Sequence, residues 1–195
     1  MQELLTEAVN IPFVLEQFDL LPTRPSGSTQ THNNALQDEF RVLLKRLHSW
    51  KATYASKSQG PLYWSYPGDR PPDPDEEIWL WFDNVVVANA LTHYWAFTAI
   101  CLVHIQRLRF ATNDFSASST IQTRAAYVEA LSMICRSIPF LFEESHELYG
   151  PSSVAFLLST VVSILNWDEE LYGSRITINQ NLVEYAKDQG FCWVS

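Results

Sequence analysis

Cysteine is scarce in this chain: its 195 residues hold three, Cys101, Cys135 and Cys192, all far apart. Three remote thiols make neither a disulfide framework nor a closely spaced metal or redox pair, and two of them fall in strongly apolar helical runs. They read as reduced core residues of an intracellular protein, cytoplasmic or nuclear. Positive charge is short too. Thirteen Lys and Arg stand against 22 Asp and Glu, for a formal net charge of -9, which opposes attraction to a phosphate backbone or to an anionic membrane. The densest basic group, Arg41, Lys45 and Arg46, decorates one helix and reads as a solvated face. A Gly-rich phosphate loop and a His-Glu-x-x-His motif are both missing, so no nucleotide, metal or other cofactor is expected. Glu143-Glu-Ser-His146 has the Glu-x-x-His spacing of helical di-metal sites, but such sites need a second copy and further carboxylates from facing helices, and a surface helix end is the simpler reading. No basic start followed by an apolar core opens the chain, because Gln2, Glu3 and Glu7 interrupt it. The longest uncharged apolar stretch, 84–103, contains Asn84, Asn89, Thr92 and His93 and reads as a core helix rather than a membrane span. Neither nucleic acid nor membrane is therefore an expected partner.

What is abundant is apolar and aromatic material. Apolar residues make up 47% of the chain and aromatic ones 13%, with Trp 7, Tyr 8 and Phe 11, enough for a large core in one domain over residues 1–195. Helical periodicity dominates. Leu4, Ala8, Ile11, Leu15 and Phe18 mark a first helix over about 3–19, which Pro12 bends or restarts. Residues 22–33 form a connecting loop. Asn34 with Gln37 then caps a second helix whose Leu36, Phe40, Leu43, Leu47, Trp50 and Tyr54 form one apolar stripe.

Residues 57–73 are a second irregular connection, with Tyr63, Trp64 and Tyr66 packed down onto the body. Asp73, Pro74, Asp75 and Glu76 announce a central helix over about 74–110 that is apolar on most sides. Ser119 with Gln122 caps a fourth helix running to about Phe142, with Pro139 as a kink or reset. A fifth follows over about 151–171, burying Phe156, Leu157, Val161, Val162 and Leu165 and closing at Gly173. Thr177 with Gln180 opens a sixth, ending near Gln189. The expected fold is all-α, an irregular single-domain bundle of about six helices.

The segments Phe40-Arg-Val-Leu-Leu-Lys-Arg-Leu-His-Ser-Trp50, Trp81-Phe-Asp-Asn-Val-Val-Val-Ala-Asn-Ala-Leu-Thr-His-Tyr-Trp95 and Ile134-Cys-Arg-Ser-Ile-Pro-Phe-Leu141 come in that order. The last precedes Gly150-Pro151 and another apolar helix. Together they resemble the C-terminal regulatory part of fungal zinc-cluster transcription factors, over most of the chain. The resemblance implies a helical regulatory body, and it implies an upstream module of six closely spaced cysteines holding two zinc ions. Three remote cysteines cannot supply six thiolates. Either the DNA-reading part lies elsewhere, or this is a relative that left DNA and kept the helical body for other work, which in fungi the resemblance would put near small-molecule biosynthesis.

Polar groups set in the apolar central helix are the candidate functional residues, since burial without a partner is costly. Asn89 and His93 lie four apart on one face, Phe97 continues that line, and His104 follows about three turns after His93. His93, His104 and Asn89 are the expected catalytic residues. Trp79, Asp83, Tyr94, Trp95, Phe97 and Arg136 are the expected substrate-binding residues, with Arg136 either bridging to a carboxylate such as Glu129 or holding an anionic ligand group. Each has a plain alternative: satisfied core histidines, a solvent-facing Asp83, and aromatic rings that are core and not pocket.

The leading expectation is a protein of fungal specialised metabolism that binds an apolar small molecule in an aromatic-walled interior. It leans towards a cofactor-independent cyclase or isomerase, such as a cycloaddition catalyst gaining rate from orientation. The alternatives are a non-catalytic effector-binding or partner-binding regulatory domain, and a structural or assembly protein with its aromatics on an oligomer face. A homo-oligomer is left open.

Overall fold

A computed structural model describes residues 1–21, 29–65, 79–112, 116–143 and 149–173. Six helices are present among them: α1 Gln2–Ala8, α2 Ile11–Asp19, α3 Thr29–Ser56, α4 Val85–Ala111, α5 Ala117–Leu141 and α6 Tyr149–Tyr172. Two short strands, β1 Trp64–Ser65 and β2 Leu80–Trp81, pair antiparallel with Trp64 opposite Trp81 and Ser65 opposite Leu80. The all-α irregular bundle expected from periodicity is what the chain forms. The count of six arises differently, because the first helix is two and the sixth expected helix, opened by Thr177 with Gln180, lies outside the described residues, as does Cys192.

The chain divides into two compact units. One gathers Met1–Gln59 and Phe97–Glu129; the other gathers Gly60–Ala96 and Ala130–Ser195. Helices α4 and α5 each run from one unit into the other, so neither unit is a continuous stretch of sequence.

In the first unit, α1 and α2 both lie against α3. Pro12 occupies the first turn of α2, where its missing N–H costs no helical hydrogen bond, so it starts a second piece. Leu4, Ala8, Ile11 and Val14 are buried, as are Leu36, Phe40, Leu43, Leu47 and Trp50 of the α3 stripe. Arg46 Nε donates to Glu7 Oε2 at 2.8 Å, and Lys57 Nζ reaches Glu3 Oε2 at 3.6 Å, pinning α1 along α3. Residue 29 already belongs to α3, so the connection expected over 22–33 is helical in its last part. Asn34 is not the cap but an exposed residue inside the helix.

In the second unit, the segment before α4 departs most from expectation. The helix begins at Val85, not near 74. Asn84 is its cap, its Oδ1 accepting the Val86 and Val87 N–H groups at 3.0 Å each, and Leu80–Trp81 instead pair with Trp64–Ser65. The acidic start at Asp73 to Glu76, and Tyr66, lie outside the described residues. Helix α4 is long and apolar enough to cross a membrane, yet 67% of its most apolar window is buried within the structure, as befits a core helix.

Helix α5 starts two residues before the expected Ser119 cap, with the Ser116 carbonyl accepting the Thr120 N–H at 2.9 Å. Pro139 sits inside it, near the C-terminal end. In α6, Leu157 and Val161 are buried as expected, together with Val154, Leu158 and Ile164, but Phe156 is exposed and Val162 and Leu165 are only half-buried. Gly173 ends the helix at φ +63°, its N–H on the Glu169 carbonyl at 2.9 Å, the left-handed cap that glycine adopts without a side-chain clash.

Candidate functional site

His104 and His93, the two expected catalytic imidazoles, stand eleven residues apart on α4. That is about 16 Å along a helix axis, and each sits in the packing of a different unit.

His104 is a half-buried residue of the first unit. Its Nδ1 lies 2.8 Å from the Ile100 carbonyl; a carbonyl only accepts, so Nδ1 carries the proton and Nε2 the lone pair. The ring stacks on Phe40 at 5.3 Å between centroids and takes Phe18 edge-on at 4.8 Å. Arg107 in turn lies over Phe18, 4.6 Å from its centroid. Burial pushes the imidazole down from 6.5 to about 4, with the Arg107 charge adding to that and the Ile100 bond and Asp19 opposing it.

His93 belongs to the second unit and repeats the arrangement. Its Nδ1–H donates to the Asn89 backbone carbonyl at 2.9 Å and its ring stacks on Phe156 at 5.4 Å. Burial again lowers its pKa, against the raising effect of the Asn89 bond. The expected Asn89–His93 pairing therefore exists, but through the backbone oxygen of Asn89, whose side chain is buried.

The expected substrate-binding residues scatter. Trp95 is in a ring nest of the second unit: Tyr63 meets it edge-on at 5.5 Å, Phe82 lies 6.5 Å away, and Phe82 contacts Phe140 at 5.2 Å and Tyr63 at 6.2 Å. Trp81 closes the group against Phe140 at 5.7 Å. These are separations of aromatic rings in direct contact. Tyr94 is buried beside Trp95 in sequence, and Phe97 is half-buried on the first unit's side of the helix. Trp79, half-buried, and Asp83, exposed, precede α4 instead of lying on it. Arg136 is half-buried, with its Nη1 3.9 Å from Met133 Sδ. Among the described residues no cluster of His, Cys, Asp or Glu is arranged to hold a metal ion, and His146 lies outside them. Cys101 and Cys135 are buried free thiols, and burial pushes Cys101 up to about 12, which makes it inert.

Sequence periodicity did not single out a cleft of about 420 Å³ on the first unit, lined by Glu3, Thr6, Glu7, Arg46, Trp50 and Lys57 among others. Its walls come from α1 and α3, and its floor includes the buried Trp50. The signal was available in the spacing of Glu3 and Glu7 along α1 and in Arg46 of α3 and Lys57 just past its end, which pair only when the helices are laid side by side. No protein-family model, no curated protein and no solved structure matches the chain.

Proposed function

We propose that this chain is a non-catalytic regulatory module that acts by binding a partner, the first of the alternatives to a small-molecule cyclase. The observation that carries this reading is the common state of the two imidazoles. Each commits Nδ1–H to the carbonyl one turn earlier, each stacks on an aromatic ring, Phe40 for His104 and Phe156 for His93, and each has a depressed pKa. A general base works best with a pKa near the working pH and an open path to its substrate; His104 at about 4 is a poor one, with Phe40 stacked on its ring and Phe18 in T-shaped contact with it. The rings around Trp95 touch one another and so behave as core. The resemblance to the regulatory body of zinc-cluster factors is consistent with this reading and suggested it.

A second reading, a small-molecule effector, is favoured by the α1–α3 cleft, whose volume lies within the range of about 300–1,000 Å³ typical of ligand sites. Its charged rim suits a polar-headed guest rather than the wholly apolar one that composition suggested.

The test is incubation of the purified chain with extract of a polyene-producing fungus, following mass-neutral conversion by chromatography and mass spectrometry. The module reading predicts no conversion, by the natural chain or by His93→Ala and His104→Ala variants. Conversion that either substitution abolishes while the helical signal persists would restore the enzyme.

A further inference from the structure

The side of α1 and α2 turned away from α3 is apolar. Leu5 is 49% exposed, Val9 64% and Phe13 59%. They are spaced by four; Val9 and Asn10 form the turn between α1 and α2, and the buried Leu4, Ala8, Ile11 and Val14 keep helical spacing across it, which leaves Leu5, Val9 and Phe13 on the outer side. Scattered exposed apolar residues need no explanation, but three at a spacing of four on a helix pair whose opposite side is already packed do.

Charge selects the occupant. Residues 1–21 contain Glu3, Glu7, Glu16 and Asp19 and not one Lys or Arg. Glu3 is matched by Lys57, just past α3, and Glu7 by Arg46 of α3. Glu16 is exposed, three residues beyond Phe13, and makes no ion pair among the described residues. A second copy would bring the same acidic flank against itself, and an anionic bilayer would be repelled. An amphipathic helix with an apolar stripe and Lys or Arg beside it would cover Leu5, Val9 and Phe13 and complement Glu16. We propose that the α1–α2 face is the docking surface for a basic amphipathic helix of a partner protein. This rests on the partner-binding reading above and adds the partner's chemistry.

The probe is a fluorescein-labelled, amidated 18-residue leucine–lysine helix titrated with the full chain by anisotropy, beside a leucine–glutamate peptide of the same pattern. Saturable binding of the lysine peptide is expected, weakened at least about tenfold on raising salt from about 0.05 to 0.5 M. It should be lost in Val9→Ser and in Phe13→Ser chains whose circular dichroism and melting are unchanged, while Glu16→Lys should shift preference towards the glutamate peptide. Equal binding of both peptides, or lysine-peptide binding indifferent to both serine substitutions, overturns the proposal. So does a dimer in sedimentation, or adsorption to phosphatidylcholine vesicles, that Phe13→Ser abolishes, since the occupant is then a second copy or a membrane. Failure here with no turnover of extract removes this face alone, whereas turnover dependent on His93 or His104 removes the partner-binding reading itself.

Discussion

The ring nest of the second unit and the α1–α2 pair of the first use the same kind of residue in opposite ways. Tyr63, Trp81, Phe82, Trp95 and Phe140 are turned onto one another at centroid separations of 5.2 to 6.5 Å, whereas Leu5, Val9 and Phe13 face water. Abundant aromatic residues therefore do not by themselves mark a binding interior. Here the larger rings pack on one another, and the apolar groups left exposed on α1–α2 are the ones proposed above to meet a partner.

The sharpest way to break this contrast is paired truncation. Trp95→Ala should lower unfolding free energy in urea by about 3–5 kcal/mol, the range for deleting a buried large aromatic, while Phe13→Ala should change it by less than about 0.5 kcal/mol. Similar losses at the two positions would show that Phe13 is as much core as Trp95.

Acid sharpens the contrast from the side of the first unit, where the cluster of Phe18, Phe40 and His104 holds a titratable imidazole. His104 has its folded pKa depressed to about 4 from 6.5, so between these values the unfolded chain binds more protons, and stability falls as pH falls from 6.5 towards 4. The stability lost through this group between pH 7 and 4 is about 3 kcal/mol. His104→Phe should remove that share of the acid loss, read as the difference in urea stability between the two chains at each pH. His93 shifts in the same direction and should leave a smaller acid dependence behind. A smaller effect is expected where α4 begins: Asn84→Ala removes the acceptor of two N–H groups and should cost about 1 kcal/mol, restored by Asp or Ser in thermal melts.

How far the sequence could be read follows from where its patterns are long. The α3 stripe from Leu36 to Trp50 was legible because five apolar residues repeat at helical spacing, and the end of α6 because glycine at Gly173 suits a left-handed cap. The start of α4 was not. Asp73-Pro74 is a strong opening signal, and it outweighed Asn84, while strands of two residues, Leu80–Trp81 against Trp64–Ser65, are too short to leave an alternating pattern. The caps expected at Asn34 and Ser119 fell inside helices that begin earlier, at Thr29 and Ala117, because polar residues near a helix start do not fix which of them is the boundary.

At the site level, the proximity of Asn89 to His93 was legible from their spacing of four, but their link through a backbone carbonyl was not. Phe40 and Phe18 reach His104 from other helices, which no local pattern reveals. The outward face of α1–α2 was missed for a different reason. Leu4, Ala8 and Ile11 already explained the helix as amphipathic, so the second line of Leu5, Val9 and Phe13 passed as incidental.

The measurement closest to the proposed reading, that the half-buried imidazoles serve packing rather than chemistry, is a pH titration of the histidine ring nitrogens by ¹H–¹⁵N NMR. His104 should stay neutral, with its proton on Nδ1, until the pH approaches about 4. A His104 that titrates near 6.5, or carries its neutral proton on Nε2, would contradict the account.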